Sequence, residues 1–461
     1  MGGTTFVADH LVGPRSLAQG SAPCTTSFGM TPAQPLLAFR PSDSQLESEY
    51  DNMLACIRCG LCLTSCPTYV LSLQEAEGPR GRVGMARALA EGNLQLTPDL
   101  VSHELNCLVC DACSAVCPAG VHMDPLQVVL RSRLNEGARP SWNVRLVRAV
   151  VFTWLFTDMR RFRAVARLLW LYQRTGLRWL ARHLGIPRLM GMGEAERLLP
   201  QLPAQFLTPH DETYAPEGSA TDPVAFFAGC VMSTALADVD RATIRVLQRA
   251  GHTVSNPAQQ GCCGALHAHG GDLSQALELA KRNIVAFEAT QGPIVVNSAG
   301  CGAMLKDYAH HLRSDPVWVQ RAAAFSARVR DLSEVLMTAA LPMKRKVPQK
   351  VVYQDACHLL HAQRISRQPR ELLRQIDGLE LAEIGEAGLC CGSAGVYNVT
   401  NPVESKQLQQ RKLDNALRVA PDLIVTSNPG CLLQLRAGLQ ERGSPIAVRH
   451  IAEVLDEASA P

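Results

Sequence analysis

The chain has 461 residues, of which 47% are hydrophobic, and its formal net charge at pH 7 is only +3. This length predicts roughly two to four domains, and the hydrophobic content suffices for ordinary buried cores. Without a strong positive charge or a run of Lys and Arg, nucleic-acid binding is not expected.

Residues 1–44 combine Gly, Ser, Thr and Pro without sustained periodicity, which predicts a flexible N-terminal extension. The segment lacks a basic region followed by an apolar core, so we expect no secretory signal and a cytoplasmic location, where thiols stay reduced. The seventeen cysteines are clustered along the chain, which favours metal ligands over a disulfide framework. Cys24 stands alone in the extension and is not expected to be a ligand.

Two cysteine motifs dominate the next segment, 45–140. The stretches CIRCGLCLTSCP (56–67) and CLVCDACSAVCP (107–118) share the spacing C-x2-C-x2-C-x3-C-P. In bacterial ferredoxins with this signature, the fourth cysteine of each motif ligates the other [4Fe–4S] cluster. One cluster is therefore predicted at Cys56, Cys59, Cys62 and Cys117, and the other at Cys107, Cys110, Cys113 and Cys66. Two structural zinc sites are the alternative, but they would not use the third and fourth cysteines of each motif.

Four residues near these motifs are expected to support the clusters. Pro67 and Pro118 would fix the direction in which the chain leaves each site. Arg80 and Arg82, in the sequence EGPRGR, either place positive charge near a cluster and raise its potential or begin a solvent-exposed helix, which is predicted over RVGMARALAEG (82–92).

The segment 141–223 is predicted to be a helical connector followed by a Pro-rich linker. Its part 141–190 has ten arginines, no lysine, one acidic residue and four of the five tryptophans, and its apolar residues recur at the intervals of two amphipathic helices. The longest uncharged stretch has nine residues, whereas a bilayer span needs about twenty. Such a surface suits a membrane interface or a protein contact; a solvated arginine face over a tryptophan-rich core is the alternative.

After the linker, strand and helix patterns alternate, and one cysteine pattern occurs twice. The first copy, 224–345, contains VAFFAGC, GCCG and SAGCG, and the second, 346–461, contains VVYQDACH, LCCG and SNPGC. The single cysteines follow apolar runs typical of buried parallel strands, whose carboxyl ends gather ligands. Each copy should bring four thiols to one edge of a small α/β domain: Cys230, Cys262, Cys263 and Cys301, and then Cys357, Cys390, Cys391 and Cys431.

The sequence thus predicts a multidomain protein with a mainly α-helical two-cluster ferredoxin domain, a helical connector and two α/β repeats with small parallel sheets. Over residues 45–455 this plan resembles the iron–sulfur subunit of bacterial glycolate oxidase. The lactate-utilisation iron–sulfur protein and the corresponding iron–sulfur subunits of anaerobic glycerol-3-phosphate dehydrogenase and of heterodisulfide reductase are similar. The CCG repeats, so named after this family's cysteine motif, and the arginine-rich connector favour the first of these.

The resemblance implies a subunit that accepts electrons from a FAD-containing partner oxidising glycolate or another 2-hydroxy acid. It would pass them towards membrane quinone, from the cytoplasm or from the inner face of the membrane. No G-x-G-x-x-G motif opens a βαβ unit, so we expect no catalytic residue for hydride transfer in this chain.

The CCG repeats depart from the heterodisulfide reductase pattern, which ends in C-x-x-C. Ser298 and Asn428 stand at the first position of that pair. The four remaining thiols of each repeat would suffice for a third and a fourth site holding iron–sulfur clusters or zinc, or for thiol chemistry. His358 is either a ligand or a residue that begins a helix. The alternative functions are a lactate or glycerol-3-phosphate dehydrogenase subunit, a thiol/disulfide enzyme, and a zinc-stabilised scaffold.

Overall fold

The computed structural model describes residues 46–137, 142–189, 193, 196 and 199–461. The predicted N-terminal extension and Cys24 lie outside the described residues. The described part is a multidomain α/β structure, and the predicted fold class is confirmed.

The ferredoxin domain is helical in its described part. Its helices enclose a small core that includes Met53, Leu126 and Leu130, all fully or almost fully buried. Three of the helices begin with proline in their first turn, where the missing N–H group costs no hydrogen bond. The helices are α1 (Tyr50–Leu54), α2 (Pro67–Ser72), α3 (Pro79–Ala90), α4 (Pro98–Leu105), α5 (Ala112–Ala115) and α6 (Met123–Gly137).

The connector contains more and shorter helices than the two that were predicted. The helical stretch is broken at Asp158. Its carboxylate accepts hydrogen bonds from the backbone N–H groups of Arg160 and Arg161 and thereby caps the N-terminus of a new helix. Gly176, with φ of 77°, ends that helix in a left-handed conformation. The segments are α7 (Trp142–Arg148), a π-helical stretch (Ala149–Leu155), α8 (Met159–Arg174), α9 (Leu177–His183) and α10 (Ile186–Leu189).

Three of the four connector tryptophans are exposed and do not contribute to the core that one alternative required, whereas Trp170 is partly buried. Trp142, Trp154 and Trp179 are 72%, 46% and 64% exposed. Among the described residues, no helix is long and apolar enough to cross a membrane.

The first CCG repeat is built on a five-stranded sheet of order β1-β3-β2-β4-β5, in which only the edge strand β1 is antiparallel. The segment predicted as linker supplies that edge strand. The strands are β1 (Glu212–Tyr214), β2 (Val224–Phe227), β3 (Val254–Asn256), β4 (Ile294–Val296) and β5 (Val329–Asp331). The helices are α11 (Val231–Ala235), α12 (Ala237–Arg249), α13 (Ala265–His269), α14 (Leu273–Glu288), α15 (Ala299–His311), α16 (Val319–Arg328) and α17 (Leu332–Thr338).

The second repeat has a four-stranded, fully parallel sheet of order β7-β6-β8-β9. Its central strands correspond to β2 and β4 of the first repeat, because each precedes a single cysteine. The strands are β6 (Lys350–Gln354), β7 (Glu380–Ala382), β8 (Leu423–Thr426) and β9 (Ala447–His450). A π-helical stretch (His358–Ala362) is followed by α18 (Arg367–Arg374), α19 (Tyr397–Thr400), α20 (Pro402–Leu417), α21 (Pro429–Glu441) and α22 (Ile451–Ser459).

The two repeats share one continuous apolar core, which joins Phe226 and Val295 of the first sheet to Val352 and Ile424 of the second. Helix α12 also contacts α22 through an ion pair between Arg249 and Asp456, whose Nη1 and Oδ1 atoms are 2.8 Å apart. The carboxyl ends of the central strands are thereby held close to each other.

Candidate metal centres

The ferredoxin domain brings its motif cysteines together around two small cavities. Cys66 lines one cavity together with the first three cysteines of the second motif, Cys107, Cys110 and Cys113. The second cavity is lined by Cys56, Cys62 and Cys117, and also by Cys113. Cys59 is exposed and does not line it. The structure thus places the fourth cysteine of each motif beside cysteines of the other motif.

The two motifs follow the same unusual backbone path. The residues on either side of the second cysteine are left-handed in both: Arg58 and Gly60 have φ of 58° and 84°, and Val109 and Asp111 have φ of 50° and 61°. For a β-branched residue such as Val109 this conformation costs about 1–3 kcal/mol and persists only where the surroundings enforce it. Ligation of a common centre by the neighbouring cysteines would hold the backbone in this conformation.

The chemistry of these thiols fits iron–sulfur clusters. All sixteen cysteines in the described part of the chain are free. Burial raises the pKa of Cys110 and Cys113 well above the ordinary value of a thiol, so a positive metal centre is needed to stabilise their thiolates. Backbone N–H groups of Val109 and Val121 donate to the sulfurs of Cys107 and Cys117 at 3.4 Å, a contact that tunes cluster potentials.

Arg80 and Arg82 take different positions beside these cavities. Arg82 lines the cavity of Cys66 and is 1% exposed, so the alternative that it begins a helix in solvent is wrong. Its guanidinium donates to the Glu77 carboxylate at 2.7 Å and to the Thr68 hydroxyl at 3.0 Å. Arg80 lines the other cavity, is partly exposed, and pairs with Glu75.

A third arginine near the clusters was missed by the sequence analysis. Arg131 of α6 is buried and donates to the backbone carbonyls of Cys107 and His269. Its Nε has no hydrogen-bond partner among the described residues. Arg131 lies in no sequence motif. The one feature of the sequence that could have indicated its role is a charged residue on the apolar side of a predicted helix.

The eight CCG thiols line a single cavity of about 400 Å³ between the two repeats. Within the first repeat the sulfurs of Cys263 and Cys301 are 3.3 Å apart, and within the second those of Cys357 and Cys390 are 4.0 Å apart. The sequence predicts four thiols at one edge of each α/β domain. Because the two repeats share a core, these two edges face each other across one cavity.

The glycine of each CCG motif is required by the backbone. Gly264 and Gly392 have φ of 88° and 85°. A Cβ atom at these positions would lie 3.1 Å from the carbonyl oxygen of Ala276 and 2.5 Å from that of Ser405. A helix therefore packs directly on each cysteine pair, and only glycine permits this approach.

The two thiol sets differ in their electrostatics. Hydrogen bonding by Cys230 holds the pKa of Cys262 well below the ordinary thiol value. At the equivalent position of the second repeat, hydrogen bonding by Cys357 lowers the pKa of Cys390, but hydrogen bonding with Cys391 and burial outweigh it and leave the pKa well above that value. Asn428, which replaces the absent fifth cysteine, donates from Nδ2 to the sulfur of Cys431 at 3.5 Å. Its Oδ1 accepts from the N–H of Gly300 in the first repeat at 3.1 Å, so this position joins the repeats.

The surroundings of the two sets also differ. Phe156, Met159 and Phe162 of the connector pack against Cys230 and Cys262 and cover the first set. The second set adjoins the ferredoxin domain: Cys110 lies in one buried group with Cys357 and Cys390. The Nε2 atom of His358 is 2.9 Å from the carbonyl oxygen of Val109. His358 begins the π-helical stretch and also lines the shared cavity.

Comparison with known families assigns three parts of the chain. A 4Fe-4S dicluster domain matches residues 55–121, the linker region of the glycolate oxidase iron-sulfur subunit matches 143–199, and a cysteine-rich (CCG) domain matches 224–306 and 351–436. Iron–sulfur ligation by the ferredoxin domain and the repeat structure are supported by these matches.

Curated relatives match the chain at two different lengths. The probable glycolate oxidase iron-sulfur subunit of Bacillus subtilis is 39% identical over 88% of this chain and 94% of its own length. The glycolate oxidase iron-sulfur subunit of Escherichia coli is 29% identical over 89% and 95%. Lactate utilization protein A of an Exiguobacterium species is 32% identical, but it covers only 51% of this chain.

Proposed function

Since the chain belongs to the family of glycolate oxidase iron–sulfur subunits, we propose that it conducts electrons from a flavin-containing partner to membrane quinone. The partner oxidises glycolate or a similar 2-hydroxy acid. The electron-transfer role expected from the sequence is confirmed by this family, and the lactate, glycerol-3-phosphate and heterodisulfide alternatives are not favoured.

One observation supports the proposed route most directly: the buried contact of Cys110 with Cys357 and Cys390. It joins the ligands of a ferredoxin-type cluster to the thiols of the second CCG repeat. The [4Fe–4S] clusters would supply one-electron carriage when they are bound. We assign two of them to the eight ferredoxin-type cysteines and a further cluster or zinc ion to each CCG set.

The chain's own residues would hold the ligands, exclude water and balance charge. Leu108 and Tyr397 are buried beside Cys110 and keep solvent from the contact between the two domains. Arg82 and Arg131 place two buried guanidinium groups near Cys107, where their positive charge favours thiolate ligands.

The proposed route is tested in the complex purified with its flavoprotein partner. In C110A and C357A variants, glycolate should still reduce the flavin, whereas the rate of quinone reduction should fall at least tenfold. The C24A variant, which alters the one cysteine outside the motifs, is the matched control and should retain both rates. Normal quinone reduction in C357A would exclude the second repeat from the route, and normal rates in C110A would refute the proposed function.

The connector is the part of the chain that we propose to contact an anionic membrane surface. Trp142, Trp154 and Trp179 are exposed, and so are Arg160 and Arg161. The Arg161 guanidinium lies 5.4 Å from the centroid of the Trp154 ring. Exposed tryptophans with arginines and few acids match the composition of interfacial helices, since the rings enter the headgroup region and the cations pair with anionic lipid. If the connector contacts the flavoprotein instead, replacing these arginines should weaken binding of the flavoprotein and leave vesicle binding unchanged.

A further inference from the structure

Three side chains with metal-ligating atoms meet where the ferredoxin domain and both CCG repeats join. Asp124 comes from α6, His269 from the end of α13, and His358 directly follows Cys357. One ligand atom of each lies within 4.8 Å of the others. The Nε2 atom of His269 is 3.4 Å from Oδ1 of Asp124, and the two imidazole rings are nearly parallel with centroids 5.6 Å apart.

The side chains are held in place from outside the group. Nε2 of His358 lies 2.9 Å from the carbonyl oxygen of Val109, a distance at which it donates a hydrogen bond. A metal-ligating histidine typically uses its second nitrogen in this way, which fixes the ring and leaves the other nitrogen for the metal. The backbone carbonyl of His269 accepts a hydrogen bond from Arg131 at 2.7 Å, which fixes the end of α13.

The charge of the group favours a cation. Asp124 is 6% exposed, and its carboxylate Oδ1 lies 3.4 Å from Nε2 of His269, so the group contains one buried acidic ligand. Other charged and titratable groups also act on this junction: Asp111, Asp307, Glu49, Lys306, Arg131, His122, His310, His311 and His361.

Two imidazoles and one carboxylate form the ligand set of zinc or ferrous sites that retain open coordination positions. His269 and His358 both line the cavity shared by the CCG thiols, so open positions would face that cavity. We infer that Asp124, His269 and His358 bind one divalent transition-metal ion, separate from the thiol-ligated centres, which joins the ferredoxin domain to both CCG repeats.

The position of this ion would link it to the proposed electron route. His358 is adjacent in sequence to Cys357, and its hydrogen bond reaches Val109, between Cys107 and Cys110. A metal bound to the ring would therefore fix the second CCG set against the ferredoxin-type cluster. The binding site itself does not depend on the proposed function.

The test uses the full chain purified without oxygen, with its iron–sulfur centres retained, and zinc as the probe. After removal of loosely bound metal and addition of Zn²⁺, we expect the wild type to hold about one zinc per chain with N/O ligands at about 2.0–2.1 Å, in contrast to about 2.3 Å for sulfur. Elemental analysis gives the stoichiometry, and X-ray absorption at the zinc edge gives the ligand type.

The D124N and H269Q variants should lose this zinc while keeping the visible absorption of the iron–sulfur centres. H361Q is the matched control, because His361 lies in the same π-helical stretch and contacts the carbonyl of Gly388. Equal zinc content in wild type and both variants, sulfur ligation of all bound zinc, or the same loss in H361Q would overturn the inference. Loss of cluster absorption together with zinc in both variants would overturn it as well, since general unfolding would then explain the result.

Discussion

Two ion pairs, each between residues five positions apart, connect the start of α3 to the segment before it. Because one pair is buried and the other is exposed, we expect mutations in them to cost very different amounts of stability. The Arg82–Glu77 pair is 2.7 Å long with side chains 1% and 10% exposed, whereas the Arg80–Glu75 pair is 2.6 Å long with side chains 35% and 50% exposed. Removing one partner of a buried pair typically costs about 3–5 kcal/mol, because the other charge stays buried and unpaired. Removing one partner of an exposed pair costs roughly 0–1 kcal/mol.

For the Arg82→Met variant we expect the lower end of the buried range, about 3 kcal/mol. Glu77 would keep two other donors, His103 Nδ1 at 2.6 Å and Asn106 Nδ2 at 2.7 Å. The lost bonds to the His103 carbonyl and the Thr68 hydroxyl add to the cost. Since folded domains are stable by only about 5–15 kcal/mol, this loss is large.

The assay is anaerobic urea unfolding of the full chain, followed by far-UV circular dichroism and by the visible absorption of the clusters. R80M is the matched control and should shift the transition little. A double-mutant cycle of R82M with E77Q should give a coupling energy above about 1 kcal/mol, because the two side chains share one buried pair. If R82M destabilises no more than R80M, or if the coupling energy is near zero, the assignment of a buried charge pair beside the cluster is refuted.

Three further predictions address the pH dependence, the ligand exchange and the connector. Burial raises the pKa of Asp331 from 3.8 to about 6. Because the folded chain then binds this proton more tightly than the unfolded chain, the free energy of unfolding should fall by about 3 kcal/mol as pH rises through that window. D331N, which keeps a capping acceptor, should remove this pH dependence in urea titrations, and an unchanged slope would contradict it. C66A should lose the same electron paramagnetic resonance signal as C110A, and a spectrum like that of a first-motif variant would disprove the exchange of ligands. Replacing Arg160 and Arg161 with Gln should weaken sedimentation with anionic vesicles, most clearly at low salt, whereas loss of flavoprotein association with unchanged vesicle binding would identify the partner as the contact.

Local patterns in the sequence predicted the repeats well. The runs before Cys230 and Cys431 consist of adjacent apolar residues, and both strands are buried throughout, as continuous hydrophobic runs in parallel sheets should be. The cysteine spacings predicted that the fourth cysteine of each motif lies beside the other motif, as it does, but Cys59 does not line the cavity of its predicted partners. These features depend on residues close in sequence or on one fixed motif.

Features that depend on packing between distant segments could not be predicted. Asp124 and His269 are 145 positions apart, and neither lies in a motif. Arg131 is one of two arginines of α6, and its hydrogen bond to the carbonyl of Cys107 follows from the way that helix packs. The connector was predicted with too few helices because the capping by Asp158 competes with the continuous apolar period.

The two CCG repeats show why a repeated pattern does not imply a repeated role. Their strand order near the cysteines and their left-handed glycines correspond, but only the second set lies in a buried group with Cys110. The first set is covered instead by Phe156 and Phe162 of the connector, which also presents exposed tryptophans. Electrons that leave the ferredoxin domain by the shortest covered path would therefore meet the second set first. The first set lies across the shared cavity and is nearest to the connector surface that we propose to contact the membrane. The order in which electrons would reach the centres therefore follows from packing and not from the order of the repeats in the chain.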